Sequence, residues 1–379
     1  MSTEAAKLLW MDLVIPAANA VLLREIASWD GFRPATLAPS DFPVDVVRFD
    51  GSSSPPVVLS RARRAETLKA LPASLRERAS AAFAKAGRTS PSLRLGHGRS
   101  LALDAPPAVV GIVNVTPDSF SDGGLYFDRA AAVDRALRLV DEGAAMIDVG
   151  GESTRPSTYG PADEISAEEE IGRVVPVIEG IRKASQAPIS IDTRRAEVAR
   201  RAIEAGADAV NDISALRFDA GMAETIAAAG AGAILMHMRG NDPRTMQQDV
   251  AYGHLLADVA RELGAAVEKA LAAGIAPEAI AVDPGLGFGK SGEGNLAILR
   301  HLAAFRSIGV PVMAGASRKK FVRLFSGIPD DAPVSDRLPG SLACAAAAEN
   351  AGAALVRVHD VGETVRFLRM SRAIRVPAA

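Results

Sequence analysis

Disulfide bonding within the chain is excluded, because its 379 residues include one cysteine, Cys344. That residue lies in an Ala-rich apolar stretch and reads as small core filler, which suits a reducing compartment and predicts a cytoplasmic protein. Aromatic residues are sparse, at 4%, and both tryptophans, Trp10 and Trp29, fall near the start. Net charge is only −2, so no global basic field argues for nucleic acid as a partner. No apolar run reaches the length of a membrane span. Leu8 to Leu23 loosely imitates a secretion signal, but Asp12 and Pro16 interrupt it, and it reads as folded structure. No GxGxxG follows the first regular strand, and GLGFGK at 285–290 lacks the spacing of a Walker loop. No paired His or Cys spacing suggests zinc.

What is present is a chain that is 48% hydrophobic, long enough to bury a large core. Its charge is uneven. Residues 1–100 carry 14 Lys and Arg against 9 Asp and Glu, a balance of +5, and the remainder carries −7. In this first part, strand-like runs at Val44 to Phe49 and Val57 to Leu59 alternate with Pro, Ser and Gly breaks. Helix-like pieces follow at Ala62 to Leu71 and Ala73 to Ala86. The basic run at 61–64 reads as a solvated helix face. Residues 1–100 hold no recognisable chemistry and predict an α/β extension that buries its tryptophans against the rest.

From Leu101 onward a rhythm sets in. EGAAMIDVGGE from Glu142, EAGADAVNDIS from Glu204, AAGAGAILMHM from Ala228 and NAGAALVRVHD from Asn350 share one form. Each passes from a helix end through Gly-Ala into a short apolar strand and then polar residues. The glycine suits a left-handed helix cap, after which the strand starts at once. Further strands fit Val109 to Val113, Ile189 to Ile191, Ala279 to Val282 and Val310 to Ala314. Helical stripes separate them. Ala132, Val133, Ala136, Leu137 and Val140 make one. Ser166 with Glu169 forms a capping box ahead of a second, in which Pro176 predicts a kink. Asp360 with Glu363 reads as a third helix start. Eight β/α units in about 275 residues predict an α/β fold, a (β/α)8 TIM barrel over residues 101–379. A doubly wound open sheet is the rival.

A barrel gathers the C-terminal ends of its strands on one face. Those ends carry Asn114, Asp148, Asp192, Asn211 with Asp212, His237, Asp283, Ser317-Arg318-Lys319, and Arg357 with His359. Asp192, Asn211 and Asp283 suit a flat heterocycle rich in N–H donors, although each alone could be a helix cap. Ser317, Arg318, Lys319, Arg357 and His359 suit an anion, on the last two strands where barrels commonly bind phosphate. His237 reads as a core histidine rather than a metal ligand. A divalent cation here would be Mg²⁺, held by an oxygen donor such as Asn114 and by substrate phosphates. The polar loop after Asn114 offers Thr116, Asp118, Ser119, Ser121 and Asp122 to a ligand.

These residues resemble dihydropteroate synthases, the folate-pathway enzymes blocked by sulfonamides. NVTPDSFSDGG, DVGGESTRP, SIDT, NDIS, MHMRG, DPGLGFGK, SRKKF, RLPGS and RVHD occur in order between Leu101 and Met370. The resemblance implies a TIM barrel joining 4-aminobenzoate to dihydropterin-methyl diphosphate with release of diphosphate. It places Asp192, Asn211, Asp283 and Lys319 at the pterin. Asn114, Arg357 and His359 fall at the Mg²⁺ and diphosphate positions, with Ser317 beside them. It puts Asp118 and Phe120 on one closing loop, and Thr154, Arg155 and Pro156 on another. Phe288 and Lys319 fall beside the aminobenzoate ring. Asp118, Asp192, Lys319, Arg357 and His359 are the expected catalytic set, and a homodimer is implied. Lys320 departs from the family, which often has Ser there. A methyltransferase-type pterin barrel would not need the cationic cluster at Ser317 to Lys319 and Arg357. A non-catalytic pterin-binding barrel stays open.

Overall fold

The computed structural model describes residues 8–15, 20–26, 44–49, 57–60, 69, 73–86, 90–103, 107–115, 125–152, 165–240, 242–248, 250–253 and 255–375. The first part contains four strands, β1 (Leu8–Ile15), β2 (Ala20–Ile26), β3 (Val44–Phe49) and β4 (Val57–Ser60), in one antiparallel sheet of that order. Leu8 to Leu23 thus holds β1 and the first part of β2, paired antiparallel. Helix α1 (Ala73–Ala86) follows, over the span expected. Apart from Lys69, the helix expected at Ala62 to Leu71 lies outside the described residues, as do the side chain of Trp10 and the whole of Trp29.

A short hairpin comes next, β5 (Ser92–Arg94) with β6 (Ser100–Ala102). Its apolar side chains Leu93, Leu95 and Leu101 are buried with Ala108, Met146, Ala209, Ile234, Ala281, Met313 and Leu355, which lie near the starts of barrel strands. The hairpin therefore closes the barrel floor. Asp208 fastens it there. This fully buried carboxylate accepts from Arg99 at 2.9 Å, Arg182 at 2.7 Å and the Ile189 amide at 2.9 Å.

The barrel strands are β7 (Ala108–Asn114), β8 (Met146–Gly150), β9 (Ile189–Asp192), β10 (Ala209–Asp212), β11 (Gly232–Met236), β12 (Ile280–Asp283), β13 (Met313–Ala314) and β14 (Leu355–Val358). All neighbours are parallel, in the order β12-β11-β10-β9-β8-β7-β14-β13. A parallel bridge from Val282 to Val312 joins the two ends and closes the ring. The last seam is narrow. Strand β13 is shorter than its apolar run because Pro311 has no N–H to give the ladder.

Helices α2 (Leu125–Asp141), α3 (Ala167–Ala184), α4 (Ala196–Glu204), α5 (Met222–Ala229), α6 (Leu255–Ala272), α7 (Gly292–Arg300), α8 (Lys320–Phe325), α9 (Leu338–Asn350) and α10 (Val361–Arg375) alternate with the strands. Helix α2 buries Ala132 and Ala136 and packs Val133 and Val140 against the same core, as expected, with Leu139 rather than Leu137 completing the stripe. Helix α3 starts as expected, with the Glu169 amide donating to Ser166 Oγ at 3.1 Å. It runs unbroken through Pro176. The carbonyl of Gly172, which the missing Pro176 N–H leaves open, accepts from Arg129 at 3.0 Å instead. Strand β1 and helix α1 lie against a 3₁₀ segment, Leu302–Ile308, that leads into β13.

Candidate active site

The strand ends open into one cleft of about 990 Å³. Asn114, Asp192, Asn211, Asp283, Phe288, Ser317, Lys319, Arg357 and His359 all line it. Asp118, Phe120, Thr154, Arg155 and Pro156 lie outside the described residues.

Carboxylates and one guanidinium organise the depth of the cleft. Arg357, from β14, reaches across with Nε 2.6 Å from Asp148 and Nη2 2.7 Å from Asp192. Burial opposes the Arg357 charge, but Asp148 and Asp192 more than offset that and drive its pKa above the ordinary value. Asp148 is fully buried and also accepts from Ser190 Oγ at 2.5 Å and Asn211 Nδ2 at 3.1 Å. It ties β8, β9, β10 and β14 together. Sequence reasoning placed Asp148 among the strand-end groups but gave it no binding or catalytic role; its signal was the carboxylate inside an otherwise apolar strand.

The Asn211 amide oxygen is buried and has no hydrogen-bond partner among the described residues. An acceptor held in that state is positioned for a donor from a ligand. Asp192 is pushed up to about 7, by burial first, with Arg357 opposing and Asp148 adding to the rise. Burial also raises Asp283, which accepts from the Gly285 amide at 2.7 Å. Neither residue caps the following helix. Helix α4 begins four residues beyond Asp192, and its first amide, Ala196, goes to Asp219 at 2.8 Å.

The opposite wall is cationic and aromatic. The Lys319 ammonium lies 4.0 Å over the Phe288 ring. Burial, then the nearby Arg357 charge, lower its pKa to about 8. The turn that presents it is strained: Arg318 has φ +59, a left-handed conformation that costs an arginine on the order of 1 kcal/mol. Asp360 holds Arg318 by its Nε at 3.0 Å, and Ser341 Oγ accepts the Arg318 amide at 3.0 Å. Asp360 therefore spends its carboxylate on this turn rather than on capping α10. The strain leaves Ser317 and Lys319, on either side, both lining the cleft. Ser317 Oγ is 3.1 Å from His359 Nδ1, and Arg135 donates to the His359 carbonyl at 2.9 Å. Helix α8 has six residues, so charge at its start comes from side chains more than from a helix dipole. Lys320 and Arg337 also line this end.

His237 is buried at the end of β11, its Nδ1 2.9 Å from Lys290 Nζ. Among the described residues, no group of three or more His, Cys, Asp or Glu is placed to hold a metal ion. No helix among them is long and apolar enough to cross a membrane.

Comparison with known proteins agrees with this geometry. The family described as pterin binding enzyme matches residues 110–359. The dihydropteroate synthase of Escherichia coli (strain K12) is 44% identical over 276 residues, covering 73% of this chain and 94% of that relative. The Xanthomonas albilineans dihydropteroate synthase solved with 4-aminobenzoic acid is 43% identical with a TM-score of 0.69, covering 76% of this chain and 100% of that one. The same organism's enzyme in complex with 7,8-dihydropteroate is 41% identical with a TM-score of 0.66, covering 76% of this chain and 100% of that one. An orphaned amide beside buried carboxylates, the cationic wall facing it, and this degree of identity lead to one conclusion: the chain belongs to the dihydropteroate synthase family of pterin-binding enzymes.

Proposed function

We infer that this chain condenses dihydropterin-methyl diphosphate with 4-aminobenzoate, giving 7,8-dihydropteroate and diphosphate. The observation that carries this reading is one cleft that joins an acceptor set, buried Asn211 and Asp283 with the partly buried Asp192, to a cationic and aromatic wall, Lys319 over Phe288 with Ser317 and His359.

The pterin ring presents N–H donors that match those acceptors. Ionised Asp192 and Asp283 also stabilise positive charge on the pterin methylene as its bond to diphosphate lengthens. Arg357 keeps Asp192 in place and, with Lys319 and His359, offsets the charge of the departing diphosphate. The ring of 4-aminobenzoate lies against Phe288 and Lys319, with its carboxylate toward Lys320 and Arg337. Its neutral amine attacks the methylene carbon, the C–O bond breaks, and the amine proton leaves with solvent or diphosphate. Asp118 and Phe120, with Thr154, Arg155 and Pro156, are assigned to the loops that cover the reacting groups and keep water out.

The residues present fit Mg²⁺ only as an ion shared with substrate. Asn114 would supply an amide oxygen at the end of β7, where the described residues hold no cluster of three or more His, Cys, Asp or Glu, so the other ligands would be diphosphate oxygens and water. Bound there, it would supply charge neutralisation to the leaving group. The reading carries a cytoplasmic homodimer with it. It also carries a division into an extension over residues 1–100 and a catalytic barrel over 101–379, with the floor hairpin spanning that boundary.

The test is diphosphate release by the purified protein given dihydropterin-methyl diphosphate and Mg²⁺, with and without 4-aminobenzoate. Release that depends on the aminobenzoate is the expected result. Pterin binding without release would leave a non-catalytic barrel.

A further inference from the structure

Two buried groups at the foot of the cleft have no part in the chemistry above. Lys290 is 3% exposed and His237 is 1% exposed. The Lys290 ammonium lies 2.9 Å from His237 Nδ1, 2.9 Å from the Gly285 carbonyl and 2.9 Å from the Phe288 carbonyl. An ammonium has three protons and no lone pair, so these three close acceptors use it fully, and the His237 carbonyl at 3.3 Å shares one of those protons at longer range. That arrangement requires His237 Nδ1 to be unprotonated. The proton then sits on Nε2, which lies 3.1 Å from Glu262 Oε2, an electrostatic contact without the geometry of a hydrogen bond. Burial first, and then the Lys290 charge, hold His237 down to about 4, as a neutral acceptor must be.

The loop that Lys290 grips is the one that presents both substrate-facing groups on this side. The Gly285 amide donates to Asp283 at 2.7 Å, and Phe288 lies under Lys319. The loop rests directly on the end of β11: a Cβ on Gly285, where φ is +69, would meet the His237 carbonyl at 1.9 Å. Two further carbonyls of the loop are also tied, Gly287 to Gln247 at 2.7 Å and Gly289 to the Tyr252 hydroxyl at 2.9 Å. Lys290 is the one charged group in this set, and it holds two carbonyls three residues apart.

We propose that Lys290, held by His237, is a positioning residue for both substrates: it fastens the 285–289 loop to the end of β11, and so sets Asp283 for the pterin and Phe288 for the aminobenzoate ring. This rests on the functional reading above. Charged groups face Lys290 from several elements: His237 from β11, Asp283 from β12, Glu262 from α6, Arg217 from the segment after β10 and Lys319 from the turn after β13. Burial lowers Lys290 to about 7, while Asp283 and Glu262 support its charge. Losing the proton leaves two donors for three close acceptors and the more distant His237 carbonyl. The loop therefore loosens as pH rises through that value.

The test compares the full-length protein with Lys290→Met and Glu262→Gln. Melting temperature, kcat, KM for 4-aminobenzoate and Kd for dihydropterin-methyl diphosphate are measured between pH 6 and 9. Lys290→Met, where it folds, is expected to raise both KM and Kd by about tenfold. Both constants unchanged, or a rise confined to one of them, overturns the proposal. Where Lys290→Met does not fold, Glu262→Gln decides. Removing that carboxylate lowers the Lys290 pKa, so the alkaline rise in KM should move to lower pH by roughly half a unit to one unit. Glu262 is not among the charges that set Asp192 or Lys319, so their titrations stay in place. A profile that coincides with the wild type overturns the proposal. A wild type with no turnover would instead sink the functional reading, and leave the pterin Kd to decide the role of Lys290.

Discussion

The Lys319 ammonium lies 4.0 Å above the Phe288 ring, and both residues line the substrate cleft. Where the bound aminobenzoate ring excludes water, a cation held over an aromatic face contributes on the order of 2 kcal/mol. Phe288→Leu keeps the apolar volume and removes the face. KM for 4-aminobenzoate should rise about ten- to thirtyfold. Steady-state kinetics at saturating pterin substrate check this, and an unchanged KM would reduce Phe288 to packing.

On the proposed function, the pH profile follows from two opposed requirements, with the loosening of the loop as Lys290 loses its proton near 7 added to the alkaline side. Asp192 must be ionised to accept pterin N–H groups, and burial has lifted it to about 7. Its charge is therefore lost as pH falls through that value. Lys319 must be protonated, and burial has lowered it to about 8. Its charge is lost as pH rises. A narrow bell in kcat/KM between these limbs is expected. Asp192→Asn cannot titrate, so the variant should be weak throughout and its acid limb flat.

The Asn211 oxygen is the partner a pterin donor would complete. Asn211→Leu should weaken pterin binding by about tenfold or more. Folding should suffer less, because Asp148 keeps donors from Ser190 and Arg357. Calorimetry with the pterin substrate alone, beside a thermal melt, separates the two effects.

At the other end of the barrel the expectation reverses. Asp208 is fully buried against Arg99 and Arg182. Asp208→Ala leaves those cations uncompensated and should cost about 3–5 kcal/mol of stability. Both KM values should stay as they were in whatever fraction folds. A shift in either would mean that the floor communicates with the mouth.

Removing residues 2–95 takes away more than an extension. Leu93 and Leu95 are 0% and 2% exposed, and losing two such side chains from a core costs about 2–5 kcal/mol each. The truncated protein should melt lower or precipitate. An equally stable and active truncation would show that the barrel floor closes without its hairpin.

The barrel was legible because its rhythm is local. Gly-Ala ahead of an apolar run marks a helix end and a strand start together, and strands β8, β10, β11 and β14 followed that signal. Strand β13 came out shorter than its apolar run because register and Pro311 decide pairing, not hydrophobicity. The floor hairpin was passed over. Its strands are three residues long, and only Gly96 and Gly98 around His97 announce the turn. At the mouth, residue types at strand ends identified the cleft lining. Which groups would neutralise one another was not legible. Arg357 spans 209 positions of sequence to reach Asp148, and no local pattern encodes such a contact. The grip of Lys290 on the loop before it is equally silent, since a lysine after glycines says nothing about where its amine turns.

The bridge from Arg357 to Asp148 and Asp192 lies deep in the cleft, with Asp148 fully buried. Dissolved ions screen charges that water reaches and leave dry pairs almost untouched, over a Debye length of about 8 Å at physiological ionic strength. Added salt should therefore compete for the diphosphate at the wet rim and hardly disturb the heterocycle beneath it. Salt sensitivity becomes a ruler for depth. Comparing how potassium chloride weakens a pterin with and without its diphosphate would report how much of the substrate's charge stays in water once it is bound.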